Sequence, residues 1–303
     1  PAPAPPPPPP RRGDAPGDAA SVTATASIVA LVLPPSITMI IYGVAAEVSI
    51  SALFFHGLYI GLGFGLVYLV TGWLVARKKG YPAERGVGAR ELVRTAAKAL
   101  PALLIPVVVL GGIRLGVFTA TEGGAVAVLI AVILGVVVYR ELSWQRVVKA
   151  MRETTMLVAA IMLIIAMAQA YSWALVTGGT PQIVADAVLG LTDNVLLILF
   201  VANVILLLIG TVVEGNAAII IFTPILLPNV TAAGVDPVHF GLIVVINLAI
   251  GLITPPVGIN LLITSRIAGI SAERALRDML PWLGVSVALL FLVTYVPVLT
   301  GMY

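Results

Sequence analysis

Leu33-Pro34-Pro35-Ser36 and Thr254-Pro255-Pro256-Val257 set a pair of prolines inside apolar sequence at two distant points of the chain. Proline removes a backbone donor and its ring clashes with the carbonyl one turn earlier, so no helix runs unbroken through either pair. In hydrocarbon the freed carbonyls have no water to turn to, and such a break survives only where protein buries it or a wet cavity meets it. The surroundings of the two pairs also match. Ile37 to Ala46 is apolar and Ser49 opens another apolar run; Gly258 to Ala268 is followed by Ser271 in the same role. A chain that breaks a membrane helix twice in one pattern is expected to be an internally repeated carrier whose broken helices form the binding site.

Composition makes the membrane reading necessary. Hydrophobic residues are 60% of the chain and charged ones 10%, with a mean hydropathy of +1.10, which is too little polar surface to coat a soluble domain. Apolar segments fall at about Ser27 to Ala46, Ala52 to Ala76, Leu100 to Phe118, Gly123 to Tyr139, Thr154 to Val176, Val195 to Val213, Ala217 to Pro228, Val238 to Ile253, Val257 to Ala268 and Met279 to Val298. Several have the roughly 20 residues a bilayer requires. The predicted fold class is an all-α polytopic membrane protein, an inverted-repeat transporter with broken helices and a re-entrant hairpin. One membrane domain is expected over residues 27–303, behind a Pro-rich leader, residues 1–26, expected to be disordered. The leader carries Arg11 and Arg12 but no apolar core, so it is not a signal peptide. Its first residue is Pro1, so the chain is expected to be a processed product or a piece of a longer reading frame.

Loop charge sets the predicted topology. Arg77, Lys78, Lys79, Arg85, Arg90, Arg94 and Lys98 make one basic connection and Arg140, Arg146, Lys149 and Arg152 another, whereas Thr177 to Asn194 holds Asp186 and Asp193 without Lys or Arg. With basic loops in the cytoplasm, the first prolyl helix runs inside to outside and Thr177 to Asn194 lies outside. Ala217 to Pro228 reaches only about 18 Å at 1.5 Å per residue, short of the bilayer core, so it is expected to be half of a hairpin that enters from outside. Its turn falls near Glu214-Gly215-Asn216. The second prolyl helix then runs outside to inside and delivers Arg266, Arg274 and Arg277 to the cytoplasm. The prolyl elements are therefore expected to be antiparallel, with the carboxyl terminus extracytoplasmic.

The carbonyls freed near Val32 and Leu33 and near Ile253 and Thr254 are hard oxygen ligands suited to a small cation such as Na⁺. The hairpin turn, Thr211 to Ala218, is expected to approach the Thr254 break and to offer an anionic substrate group the positive end of the helix starting near Ala217. Glu214, as a membrane carboxylate, is either a ligand or a water-facing tip residue. Asn247 and Asn260 either bind or hydrogen-bond between helices, and the second role is expected for Asn203. Arg114 is expected to snorkel to headgroups, and Thr119, Thr121 and Glu122 to cap a helix. Enzyme chemistry finds no constellation: His56 and His239 lack the partners of a metalloprotease, and no phosphate loop is present. Cysteine is absent, which excludes disulfides and thiolate zinc sites. No nucleic-acid partner is implied, because the basic residues sit between apolar segments.

Six blocks carry a family resemblance: Leu33-Pro-Pro-Ser-Ile-Thr-Met-Ile-Ile-Tyr-Gly43, Lys79-Gly-Tyr-Pro82, Gly116-Val-Phe-Thr-Ala-Thr-Glu122, Thr223-Pro-Ile-Leu-Leu-Pro228, Gly234-Val-Asp-Pro-Val-His-Phe-Gly241 and Asn247-Leu-Ala-Ile-Gly-Leu-Ile-Thr-Pro-Pro-Val-Gly-Ile-Asn260. In order and spacing from about Ala26 onward they resemble the large membrane subunit of TRAP transporters, the tripartite ATP-independent periplasmic carriers of C4-dicarboxylates, sialic acid and related organic acids. The resemblance implies a Na⁺-coupled elevator carrier of the bacterial inner membrane. Its partners would be a small four-helix membrane subunit and a periplasmic substrate-binding protein that delivers a small carboxylate. Carried over by motif, the Na⁺ regions fall at Pro34, Pro35 and Ser36, at Glu214, Gly215, Asn216 and Ala217 in the hairpin turn, and at Thr254, Pro255, Pro256 and Gly258; Ser36, Asn216, Asn247 and Asn260 are the substrate candidates. The hairpin and both broken helices would slide against scaffold helices such as Ala52 to Ala76 and Thr154 to Val176. Departures are Ala120 where the family usually has proline, Glu214-Gly215-Asn216 in place of an acidic-Pro-Thr turn, and the leader in place of earlier helices. A non-transporting remnant and a carrier of another ion-coupled family are the alternatives.

Overall fold

The computed structural model describes residues 16–81, 88–179 and 194–301, and the residues described are helices joined by turns, with no strand among them. The start of the leader, Arg85, and the acidic pair Asp186 and Asp193 lie outside the described residues. The described residues divide into two compact units: 88–161 belong to one, and 16–81 with 162–179 and 194–301 to the other.

The smaller unit holds α4 (Ala89–Arg114) and α5 (Ala120–Ile133), which runs into a π-helical turn at Leu134–Val138, and the beginning of α6 (Trp144–Thr177). Thr119 caps α5 as expected. Its side chain accepts from Glu122 N at 3.3 Å while the Glu122 carboxylate accepts from Thr119 N at 2.7 Å, a reciprocal capping box.

The larger unit contains α1 (Pro16–Val32), α2 (Ile37–Ala45), α3 (Ile50–Lys79), the rest of α6, α7 (Val195–Gly210), α8 (Gly215–Ala232), α9 (Pro237–Gly251), α10 (Ile259–Ile267) and α11 (Ala272–Thr300). Across the described residues six helices are long and apolar enough to cross a membrane, or seven with α1 and α2 counted as one span bent by 44°. The expected repeat is present in lengths and caps. Helices α1, α2 and α3 have 17, 9 and 30 residues, and α9, α10 and α11 have 15, 9 and 29. Ser49 caps α3 by accepting from Ala52 N at 3.2 Å, and Ser271 caps α11 by accepting from Arg274 N at 3.3 Å.

Hydrogen bonds between the two repeats fix their relative direction. Near the start of α1, Ser21 Oγ lies 3.4 Å from the carbonyl of Ala275, in the first turn of α11, which follows α10 after a short connection. Near the end of α2, Tyr42 Oη donates at 2.8 Å to the carbonyl of Pro237, the first residue of α9. One broken helix therefore begins where the other ends, and the pair is antiparallel, as loop charge predicts. Helix α9 runs through the middle of this bundle with Phe240, Ile243, Val245, Ile246 and Ile250 fully enclosed.

Three expectations need correction. Residues 16–26 are not disordered: α1 begins at Pro16, and Ala20, Ser21 and Ala24 pack inside. Small side chains with low hydropathy suffice there because the helix face is closed by neighbours. Helix α8 does not stop at Pro228 but continues to Ala232, which makes it about 27 Å long. Its internal prolines are tolerated, as in other membrane helices, so shortness is no argument for a hairpin. Ala52 to Ala76 is not a scaffold element apart from the broken helices. It is the body of α3, in the same compact unit, and Lys79 Nζ at its end reaches Asp18 of α1 at 2.6 Å and Asp278 of α11 at 3.2 Å.

Candidate functional site

Each break can be followed carbonyl by carbonyl. Pro35 has no N–H for the carbonyl of Leu31, and Ser36 Oγ replaces it, donating at 2.6 Å. The same oxygen accepts from Met39 N at 3.4 Å and so caps α2. At the second break Pro256 has no N–H for Leu252, whose carbonyl instead accepts from Asn260 N at 3.0 Å; Thr254 N turns to Gly251 O at 3.0 Å. Thr254 Oγ1 donates to Ile250 O at 2.7 Å. After these substitutions the carbonyls of Val32 and Leu33, and of Ile253 and Thr254, accept from no donor among the described residues. Both Pro-Pro peptide bonds are cis.

Gly258 follows the second break with φ +49°, and a side chain there would press on the Thr254 carbonyl at 3.1 Å. The position needs glycine for conformation and for space together. The hairpin turn between α7 and α8 meets α9 just before this break. Gly210 and Gly251 touch backbone to backbone, and Gly210 also lies on Leu248. Helix α7 therefore ends at the level where α9 breaks, while α10 continues beyond as far as Ile267. That position, rather than the length of α8, is what brings the turn between α7 and α8 to the break.

The carboxylate at the turn is already engaged. Glu214 is exposed and its Oε2 accepts from Ala217 N at 3.0 Å, capping α8. The protein's own carboxylate thus already takes one donor at the positive end of α8, where an anionic substrate group was expected. Gly215, Asn216 and Ala217 form the first turn of α8 and are half-buried. Pro255 and Pro256 are exposed, as is Pro35, whereas Pro34 and Ser36 are buried.

The asparagines separate into two roles. Asn247 is fully buried and donates to Asn203 Oδ1 at 2.7 Å and to Ile243 O at 2.8 Å; Asn203 donates onward to Thr294 Oγ1 at 3.2 Å. The interhelical role expected for Asn203 therefore extends to the amide nitrogen of Asn247, while its Oδ1 is buried and meets no donor among the described residues. Asn260, half-buried at the start of α10, donates to Ser27 Oγ of α1 at 2.6 Å and ties the second break to the first repeat. Sequence reading passed over Ser27, Gly210 and Gly251; only their small size inside apolar helices pointed to close contact. No cluster of His, Asp and Glu suited to a metal occurs among the described residues, so a cation at this site would be held by carbonyl and hydroxyl oxygens.

With this geometry the comparison with known proteins is direct. The family described as "Tripartite ATP-independent periplasmic transporter, DctM component" matches residues 7–299. The chain belongs to this family. It is 40% identical over 278 residues to the C4-dicarboxylate TRAP transporter large permease protein DctM of Pseudomonas aeruginosa, covering 92% of this chain and 65% of that protein. The isethionate TRAP transporter permease protein DctMQ of Oleidesulfovibrio alaskensis is 40% identical over 92% of this chain and 44% of its own length. The sialic acid TRAP transporter large permease protein SiaM of Vibrio cholerae is 36% identical over 93% of this chain and 66% of its own. The chain thus spans less than two thirds of each of these TRAP relatives. Their substrates differ while the prolyl breaks of this chain lie within the shared region.

Proposed function

We propose that this chain is a permease subunit of a TRAP transporter in a bacterial inner membrane, importing a small organic acid by Na⁺ symport. The observation that carries the reading is the pair of antiparallel broken helices, each with carbonyls that no described donor meets, those of the second beside a hairpin tip. Bare carbonyls in hydrocarbon are costly, and a weakly held monovalent cation is the partner their chemistry suits. Pro34 to Ser36 and Thr254 to Gly258 would frame two cation positions, with Asn216 and the hairpin turn facing the acid. Because Glu214 already caps the start of α8, the carboxylate of the substrate would be balanced by bound Na⁺ more than by that helix end. A small four-helix membrane subunit and a periplasmic binding protein would complete the system, and the binding protein would set much of the choice of acid. The moving body would be α1 to α3 with α7 to α11, which the structure packs as one unit. In vesicles holding the chain with its partner proteins, replacing Na⁺ by K⁺ should abolish uptake of the acid. Uptake that continues unchanged in K⁺ rejects sodium coupling.

A further inference from the structure

We propose that the opening turns of α4 bind the phosphate of an anionic phospholipid from the cytoplasmic leaflet. Arg90, Arg94 and Lys98 recur every fourth residue and so lie along one helix face. Together with Gly88, Glu91 and Thr95 they line an open cavity of about 880 Å³. All three cations are exposed, and none is paired with a carboxylate among the described residues. The other face of the same turns is apolar: Leu92, Val93 and Leu100 are 64%, 66% and 60% exposed. Lys98 is anchored at the main chain, where its carbonyl accepts from Tyr139 Oη at 3.1 Å.

Orientation requires only the sign of a loop's charge, which scattered lysines would supply equally well. A cationic stripe with a cavity along it and an apolar back is a more specific arrangement, one that suits a headgroup in the polar layer and chains beside it. Helix α4, at 26 residues, is about 39 Å long and exceeds the roughly 30 Å hydrocarbon core, so its basic end stands at phosphate depth. Charge selects the occupant: a phosphatidylglycerol headgroup is a net anion, whereas a choline headgroup brings a cation that the stripe repels.

The test is lipid binding by the full chain in detergent, with phosphatidylglycerol and phosphatidylcholine titrated separately and retention read by native mass spectrometry. Phosphatidylglycerol should be held preferentially. The variant R90Q/R94Q/K98Q should lose on the order of a hundredfold in its affinity, about fivefold per cation removed, with binding of phosphatidylcholine unchanged. Glu91→Gln, which removes the lining's own negative charge and leaves the fold's contacts intact, should strengthen phosphatidylglycerol binding severalfold and decides the matter if the triple variant does not fold. Equal retention of both lipids, or no response to Glu91→Gln, overturns the proposal. Displacement of phosphatidylglycerol by millimolar inorganic phosphate also overturns it, in favour of a free-anion site.

Discussion

A methyl group added at Gly251 would strike the backbone of Gly210, whereas one added at Gly215 would meet nothing nearer than Leu248 Cβ at 3.9 Å. Backbone cannot yield as the tip of a side chain can, so Gly251→Ala must push the hairpin turn away from the break. The expected cost is about 1–3 kcal/mol, the range for overpacking a closed contact, while Gly215→Ala should leave the melting temperature of the purified protein nearly unchanged. Equal melting for the two variants would mean the turn does not rest on α9. The breaks themselves were legible in the sequence because the missing N–H of Pro34, Pro35, Pro255 and Pro256 is a property of the residue alone. The Gly210 and Gly251 contact was not, since a glycine inside an apolar run does not reveal what it faces. For a related reason the sequence leaves Asn247 open between binding and bridging helices, and only the structure shows the bridge, with Asn203 2.7 Å away.

Among elements, α3 illustrates what packing adds to pattern. Its apolar length made it a membrane helix at sight, yet length cannot say which neighbours it travels with, and its assignment to a separate scaffold failed. Lys79 decides its company by bridging Asp18 and Asp278, and Tyr81 Oη donates to the same Asp18 carboxylate. Asp18 has a side chain only 7% exposed, while that of Lys79 is 38% exposed. Lys79→Met strands a buried negative charge, and the loss of one partner of a buried pair is expensive; partial exposure of the lysine reduces it to about 1–3 kcal/mol. Pairing it with Asp18→Asn should restore part of that loss, which thermal unfolding of the single and double variants would measure as a coupling. Additive losses would show that the bridge does not hold α3 to α1. The start of α1 was illegible for the opposite reason: Ala20, Ser21 and Ala24 are too weakly apolar to register, although the face they build is closed by neighbours.

On the scale of the molecule, the inverted repeat makes equivalent residues point to opposite sides of the membrane. Ser49 stands between α2 and α3, and Ser271 between α10 and α11; each is the exposed cap of the long helix that follows. Lys79 and Asp278 meet at one end of the bundle while Tyr42 meets Pro237 at the other, so the Ser271 junction lies at the basic end and the Ser49 junction at the far end. The chain contains no cysteine, so a single introduced thiol is the only one that can react. A membrane-impermeant thiol reagent applied to intact spheroplasts should label Ser49→Cys at once, and Ser271→Cys only after the membrane is opened. Each substitution removes a cap worth about 1 kcal/mol, too little to unfold a helix of 29 or 30 residues packed along its length. Labelling of both from the same side would mean that the repeats are oriented alike. The breaks could then no longer face one another from opposite directions, and an alternating-access carrier built on them would lose its geometric basis.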